Sequence, residues 1–336
     1  MARTLVCIRE RPSIRCGEGW AAVTISRMDA IAGLLDGPRA HGAFLLRLTM
    51  SPPWSLRIQD EAPLAIVAIV RGHAWVVPDD RPAVRLTAGD VIVIRGPEPY
   101  RVADDPATPA QIVIHPGQVC TTPSGESLDL SMKLGLRAWG NSRDGAAELV
   151  AGVYQLRTEV SRRLLTALPA LAVVRAGDWD SPLVDLLARE VGRDDPGQEI
   201  VLDRLLDLLV VAVVRTWFAR AEAAAPAWWR ANDDPVVGPA LRLVHHTPQH
   251  PWTVAELAAA CGASRAAFAR RFTDLVGEPP IAYLTGWRLA LAADLLREPD
   301  ASVGSVARRV GYGSPFALST AFRRHYGVSP REHRAR

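Results

Sequence analysis

The sequence predicts an α+β protein with a β-rich front, a helical middle segment and an all-α C-terminal third. Three observations carry that reading. A capped helical hairpin at residues 253–280 is repeated at 302–330. Between Phe44 and Ile114, apolar residues recur with period two in short runs broken by Pro, Gly and Asp. From Val150 onward the pattern returns to the period of a helix. The expected divisions are an extension over 1–23, a small β-barrel over 24–148, a helical packing or dimerisation segment over 149–220, a linker over 221–236 and the duplicated helical domain over 237–336.

The strands expected at the front are Phe44-Leu-Leu-Arg-Leu, Trp54-Ser-Leu-Arg-Ile, Ala65-Ile-Val-Ala-Ile-Val, Ala74-Trp-Val-Val, Ala83-Val-Arg-Leu, Asp90-Val-Ile-Val-Ile and Gln111-Ile-Val-Ile. Such spacing predicts a small barrel or jelly roll. If its interior is hollow, Trp54, Trp75 and Tyr100 line it, with Arg57, Arg95 or His73 as polar anchors, because small-molecule pockets are mostly apolar with few polar groups. An interior filled by its own side chains is the alternative. His41, His73 and His115 fall singly at strand ends, a placement more typical of structural histidines than of metal ligands.

The middle segment carries Leu202, Leu205, Leu206, Leu209, Val213 and Trp217 on one helical stripe, widened by Val210, Val211 and Val214. A helix apolar over so much of its circumference must be covered on more than one side. Two placements satisfy that: between the barrel and a second subunit, or wholly within one subunit. The Pro, Asn and Asp residues of 221–235 then mark a hinge, which Trp228 and Trp229 are expected to pin to a neighbour.

In the C-terminal third, Thr253 can cap a helix and Glu256 can close a capping box. That helix is expected to bury Val254, Leu257, Ala258 and Cys261. Gly262 ends it, since a residue without Cβ enters the left-handed turn. Ser264 caps the next helix, which turns Phe268 and Phe272 inward and leaves Arg265, Ala266, Ala269 and Arg270 outside. The second copy repeats this with Val303, Val306, Ala307 and Val310 buried, Gly311 and Gly313 at the turn, Ser314 as cap and Pro315 at the first helical position. Leu318 and Phe322 face its core, while Phe316, Ser319, Thr320, Arg323 and Arg324 lie on or near the opposite side. The copies are offset by 49 residues before the turn and 50 after it, one residue being inserted at Gly311-Tyr312-Gly313. One continuous helix over 280–298, with Ile281, Leu284, Leu289, Ala292 and Leu296 inward, is expected to join them. At about 1.5 Å per residue it spans roughly 28 Å, near the roughly 34 Å repeat of duplex DNA.

Charge agrees with this division. Residues 235–336 hold 13 arginines against 7 acidic side chains, a net of +6, whereas residues 1–234 hold 26 basic against 29 acidic, a net of −3. At 336 residues and 49% hydrophobic, the chain has material for two or three domains. No apolar run approaches the roughly 20 residues of a spanning helix or the pattern of a signal peptide, so a cytoplasmic location is expected. Cys7, Cys16, Cys120 and Cys261 are too few and scattered for a disulfide framework or a zinc site. Cys261 reads as a small buried hydrophobe, and Cys120 as a loop thiol open to oxidants.

Residues 237–334 resemble the DNA-binding domain of the AraC/XylS family, above all in Val306-Ala-Arg-Arg-Val-Gly-Tyr-Gly-Ser-Pro-Phe-Ala-Leu-Ser-Thr-Ala-Phe-Arg-Arg-His-Tyr-Gly-Val-Ser-Pro. The resemblance implies base-facing positions at Ala266, Ala269 and Arg270 in the first unit and at Pro315, Phe316, Ser319 and Thr320 in the second. The two alanines depart from a reading surface, because Ala meets only a thymine methyl. That leaves Arg270, with Arg265 as helper. At the front, Arg71-Gly72 and Ala88-Gly-Asp-Val-Ile-Val-Ile-Arg-Gly-Pro resemble the cupin barrel carried by one branch of that family, and Leu168-Pro169, Glu190, Arg204-Leu-Leu-Asp-Leu-Leu and Pro251-Trp-Thr-Val continue the likeness. Registered on those motifs, the cupin metal ligands fall at Gln59, Glu61, Ala65 and Tyr100, which cannot form a His-rich centre.

The resulting expectation is a sequence-specific DNA-binding transcription regulator, with no catalytic residue, metal or cofactor. Its partners are double-stranded DNA, a small-molecule effector, RNA polymerase if it activates, and a second copy in a homodimer; no membrane is involved. Ser314, Arg265, Arg323 and Arg324 are assigned to the phosphate backbone or helix start, and Arg270, Ser319 and Thr320 to base edges. The rival readings are a metal-dependent cupin oxygenase or isomerase with an attached helical domain, which requires a stoichiometric metal, and a protein–protein adaptor, which gives no salt-dependent DNA shift.

Overall fold

The computed structural model describes residues 44–154, 165–220 and 225–335. The expected extension, Cys7, Cys16, His41 and the first linker residues lie outside the described residues. The front half forms strands β1 (Phe44–Met50), β2 (Ser55–Ile58), β3 (Leu64–Arg71), β4 (His73–Pro78), β5 (Val84–Thr87), β6 (Val91–Arg95), β7 (Tyr100–Ala103), β8 (Ile112–His115), β9 (Val119–Thr121), β10 (Ala138–Trp139), β11 (Ala147–Tyr154) and β12 (Leu171–Val174). They make two six-stranded sheets, β10-β1-β11-β3-β6-β12 and β5-β4-β7-β2-β8-β9. Among the described residues no strand of one sheet pairs with a strand of the other, so the barrel is a pair of facing sheets. The helical pattern expected from Val150 is corrected by β11 and β12. β11 lies between β1 and β3, pairing Leu48 with Leu149 and Val67 with Ala151.

Burial follows side-chain parity. In β3, Ala65, Val67 and Ile69 point into the core between the sheets, while Leu64, Ile66 and Ala68 point to the other face. β6 repeats this with Ile92 and Ile94 against Val91 and Val93. Strands buried on both faces read as unbroken apolar runs, which is why these two lack clean alternation. The second face is covered by α1 (Leu183–Val191) and α2 (Gln198–Phe218), through Leu187, Leu202, Leu206, Leu209, Val213 and Val214. Gly152 of β11 admits α2 to close range: a Cβ there would lie 2.7 Å from Leu206 Cδ1. The stripe read from sequence therefore packs on the chain's own sheet. Ile200, Val201 and Leu208 remain exposed on the far side of α2.

The linker contains a short helix, α3 (Ala227–Ala231), followed by α4 (Val237–His246). The first helix-turn-helix is α5 (Val254–Ala260) and α6 (Arg265–Val276), the second α8 (Val303–Arg309) and α9 (Pro315–Tyr326), and α10 (Pro330–Arg334) closes the chain. Between them α7 runs Pro280–Leu295, about 24 Å at about 1.5 Å per residue and shorter than the sequence indicated. It buries Tyr283, Leu284, Trp287 and Ala290 against the first unit and Leu289, Ala292 and Ala293 against the second. Ile281, expected inside, is exposed. A rod shared by two cores buries two faces, so a single-stripe reading assigns some of its residues to the wrong side.

Candidate nucleic-acid interface and sensor cavity

Both recognition helices are set by local chemistry. Ser264 Oγ accepts from the Ala267 N–H at 3.4 Å and Ser314 Oγ from the Ala317 N–H at 3.1 Å, satisfying donors that each helix start leaves free. At the other ends Gly277 and Gly327 take left-handed φ values of 89° and 74° and return their N–H groups to Thr273 and Arg323. The preceding helices carry reciprocal caps, Thr253 with Glu256 and Ser302 with Ser305. The Glu256 carboxyl is held below its ordinary range by the Thr253 backbone N–H. Each hairpin turn closes in the same way, Ala263 N–H to Ala258 O at 2.9 Å and Tyr312 N–H to Ala307 O at 2.8 Å. The inserted residue is thus Gly313, which has open space around it.

Beneath each recognition helix the core is closed, with Phe268 and Phe272 in one unit and Leu318 and Phe322 in the other fully buried. Outside, Arg265, Ala266 and Arg270 are exposed and Ala269 is half-buried; Ser314, Pro315, Phe316, Thr320, Arg323 and Arg324 are exposed and Ser319 half-buried. Phe316 is 81% exposed, so the gain from burying its apolar ring is left unrealised in the isolated chain. Ser319 Oγ donates to Pro315 O at 2.8 Å and retains its acceptor lone pairs.

Between the two sheets lies a cavity of about 80 Å³. Trp54 and Tyr100 line it, with Leu56, Val67, Ile114 and Leu149. Trp54 is 1% exposed, and its indole N–H has no hydrogen-bond partner among the described residues. Burial pushes the Tyr100 phenol upward, so it stays neutral. The other four expected lining residues are placed elsewhere by strand parity. Arg57 follows inward-facing Leu56, points out, and binds Asp79 through two hydrogen bonds of 2.5 and 2.6 Å. His73 and Trp75 flank inward-facing Ala74 and Val76 and lie on the outer side. Arg95 shares parity with Val91 and Val93, away from the cavity, and donates to Leu165 O at 3.3 Å.

Sequence reasoning missed the cavity's polar pair. Gln118 Nε2 donates to Asp60 Oδ2 at 2.7 Å, and both residues line the space. Gln118 and Glu61, next to Asp60, are the two non-glycine residues with positive φ among those described, at 64° and 57°. Strain of this kind is held in place by surrounding structure and clusters at functional sites. The partners are 58 residues apart in sequence, so no local pattern joins them. Cys120 also lines the cavity, in β9 rather than in the expected loop, and burial with Asp129 pushes its thiol up to about 11. That lowers its thiolate fraction and its reactivity. His115 bridges Gln59 and Thr121. Among the described residues no group of three His, Cys, Asp or Glu is arranged to hold a metal ion, and no helix is long and apolar enough to cross a membrane.

Residues 29–219 match the family model described as Cupin and residues 257–336 the one described as Helix-turn-helix domain. A putative AraC-like transcription regulator of Streptomyces antibioticus is 30% identical over 317 residues, covering 91% of this chain and 98% of that protein. The chain belongs to the AraC family of transcription regulators. A second relative, the HTH-type transcriptional regulator AlkR of Acinetobacter baylyi, is 28% identical over 91% of this chain and 99% of its own length. The DNA-binding domain of AdpA, solved in complex with a target DNA, is 39% identical over 31% of this chain and 92% of that chain, with a TM-score of 0.29. In this AraC-family regulator, DNA binding belongs to the duplicated C-terminal domain and the cupin sheets stand before it.

Proposed function

We propose that the chain reads double-stranded DNA by placing α6 and α9 in successive major grooves, under control of a small molecule held between the N-terminal sheets. The observation that carries the first half is the duplication of a capped helix, closed beneath by large apolar side chains and carrying exposed arginines outside, in the segment that concentrates the positive charge. Arg270, helped by Arg265, supplies a base-edge donor in the first unit. In the second, Ser319 and Thr320 offer hydrogen bonds and Phe316 an apolar face for a thymine methyl. Ala266, Ala269 and Pro315 allow close approach, Ser314 starts its helix, and Arg323 and Arg324 hold phosphates.

The cavity sets the effector's chemistry. It accepts a mostly apolar molecule carrying an acceptor for the Trp54 N–H and a donor for Asp60. At about 80 Å³ it is near half the roughly 150 Å³ that holds benzene in an engineered apolar cavity. Anything larger than a few heavy atoms must part the sheets. The exposed Ile200, Val201 and Leu208 of α2, with Leu186 of α1, supply an apolar face for a homodimer. RNA polymerase joins the partners if the output is activation.

Selecting bound fragments from random DNA with the full chain tests the DNA reading. Two conserved elements about one helical turn apart are expected, with binding that weakens steeply as salt rises. Uniform, sequence-independent binding, or none, overturns it.

A further inference from the structure

The two turn glycines occupy equivalent positions in the repeat and differ in their surroundings. Gly262, at φ +67°, has nothing near its missing Cβ, whereas a Cβ on Gly311, at φ +83°, would lie 2.7 Å from Gln249 O and 2.9 Å from Arg288 Nη2. The second turn is therefore pressed against residues 248–250, which lead into the first unit. Arg288, from the middle of α7, closes this junction. Its Nε donates to Pro248 O at 2.6 Å and its Nη2 to His250 O at 2.7 Å. Tyr312, half-buried beside it, interacts with the same guanidinium. The His250 and Trp252 rings pack tilted against each other, centroids 4.2 Å apart, and Trp252 Nε1 donates to Thr247 O at 3.1 Å, so the clamped loop is internally braced and runs directly into the Thr253 cap.

We propose that Arg288 is a positioning residue for DNA reading: by fastening the lead-in of the first unit to the turn of the second, it fixes the distance and angle between α6 and α9, and so sets which spacing of base contacts the protein accepts. α7 alone does not do this, because helices packed on one rod through separate cores can still rock about it. A third contact point off the rod's axis removes that freedom. A planar guanidinium that spans two carbonyls does so with two directional bonds, which an ammonium cannot duplicate. The Gly311 approach explains why the second turn carries an extra glycine: Gly311 is used for the contact, and Gly313 restores the chain's path to Ser314.

This inference rests on both recognition helices touching DNA, and the experiment separates the two ideas. Using the full chain and its selected site, binding is measured for the native spacing and for sites with one base pair inserted or removed between the elements. The wild type is expected to lose about tenfold or more on altered spacing. Arg288→Ala should keep its affinity for each element alone within about twofold while its spacing preference falls to about twofold. Arg288→Lys should recover only part of that preference. Gly311→Ala should relax spacing as Arg288→Ala does, and Gly262→Ala, which suffers the same backbone strain without the contact, should not; this pair decides the matter should Arg288→Ala fail to fold. Tenfold discrimination retained by Arg288→Ala or Gly311→Ala overturns the role of Arg288. Absence of any spacing preference in the wild type instead overturns the two-groove reading.

Discussion

The two helix-turn-helix units share their caps and turns and differ in what stands behind them. In the first, Arg271 of α6 grips Asp234 of the linker, with Nη2 to Oδ2 at 2.6 Å and Nε to Oδ2 at 2.9 Å. Asp234 also accepts the Val236 and Val237 N–H groups at the start of α4. Ala231 of α3 is buried in the same core as Phe268 and Phe272. The second unit makes no such link to the linker among the described residues. It closes instead on the chain's end, where His333 of α10 meets the Phe322 ring at 5.3 Å and Arg334 donates to Ala301 O at 2.8 Å. The two copies keep equivalent caps but differ in tertiary support: one is tied to the linker and the other closes on α10.

The largest effects should come from emptying each core. Phe268→Ala and Phe322→Ala should each cost about 3–5 kcal/mol, measured by urea unfolding. Hydrogen exchange should then separate them, with Phe322→Ala loosening residues 301–334 and Phe268→Ala loosening α3 and α4 as well. Equal loosening of α3 by both would mean that the units are not independently supported.

Next come the reading surfaces. Arg270→Ala should lose about 1–3 kcal/mol on the selected site and relax one base position. Phe316→Ala should lose affinity without altering the dependence on salt, since it neutralises no phosphate. Arg323→Ala should lower the salt slope by roughly 1 with little change in sequence preference. A shifted salt slope for Phe316→Ala would break the division into base and backbone contacts.

The smallest effect tests the tie itself. Hydrogen bonds from Arg271, then from the Val237 and Val236 backbone, hold the Asp234 carboxyl at about 2, down from 3.8. A carboxylate depressed in the folded state adds stability above its unfolded value and loses it as pH falls from about 4 toward 2. Asp234→Asn keeps the helix cap and removes the ion pair, so it should cost about 1 kcal/mol at neutral pH and flatten the unfolding midpoint between pH 5 and pH 2. An unchanged pH profile would show that the tie contributes nothing.

What was legible in the sequence was what is decided locally. Thr253, Ser264 and Ser314 cap the helices they were expected to cap, and inward Phe268 and Phe272 fix by helical period which neighbours face out. The strands from Phe44 to Ile114 were visible for the same reason, apart from β7, where Arg101 breaks a four-residue run. β11 was hidden because Ala147-Glu-Leu-Val-Ala favours a helix intrinsically. Pairing with β1 and β3 on both edges overrides that preference. In the cavity, Trp54 and Tyr100 could be reached from strand position, but Arg57, His73, Trp75 and Arg95 could not be excluded without knowing which parity faces inward. The Asp60–Gln118 pair depends on long-range folding and has no sequence signature.

Trp228 and Trp229 are consecutive, and they serve different masters. Trp229 packs on Phe218 at the end of α2, at 4.8 Å between ring centroids, with the core beneath the N-terminal sheet; Trp228 packs with the core of the first unit; and the two rings meet edge to face at 5.9 Å. Successive residues of a helix project about 100° apart on a single rigid turn. The short helix α3 therefore joins the two cores through neighbouring indoles, one seated in each.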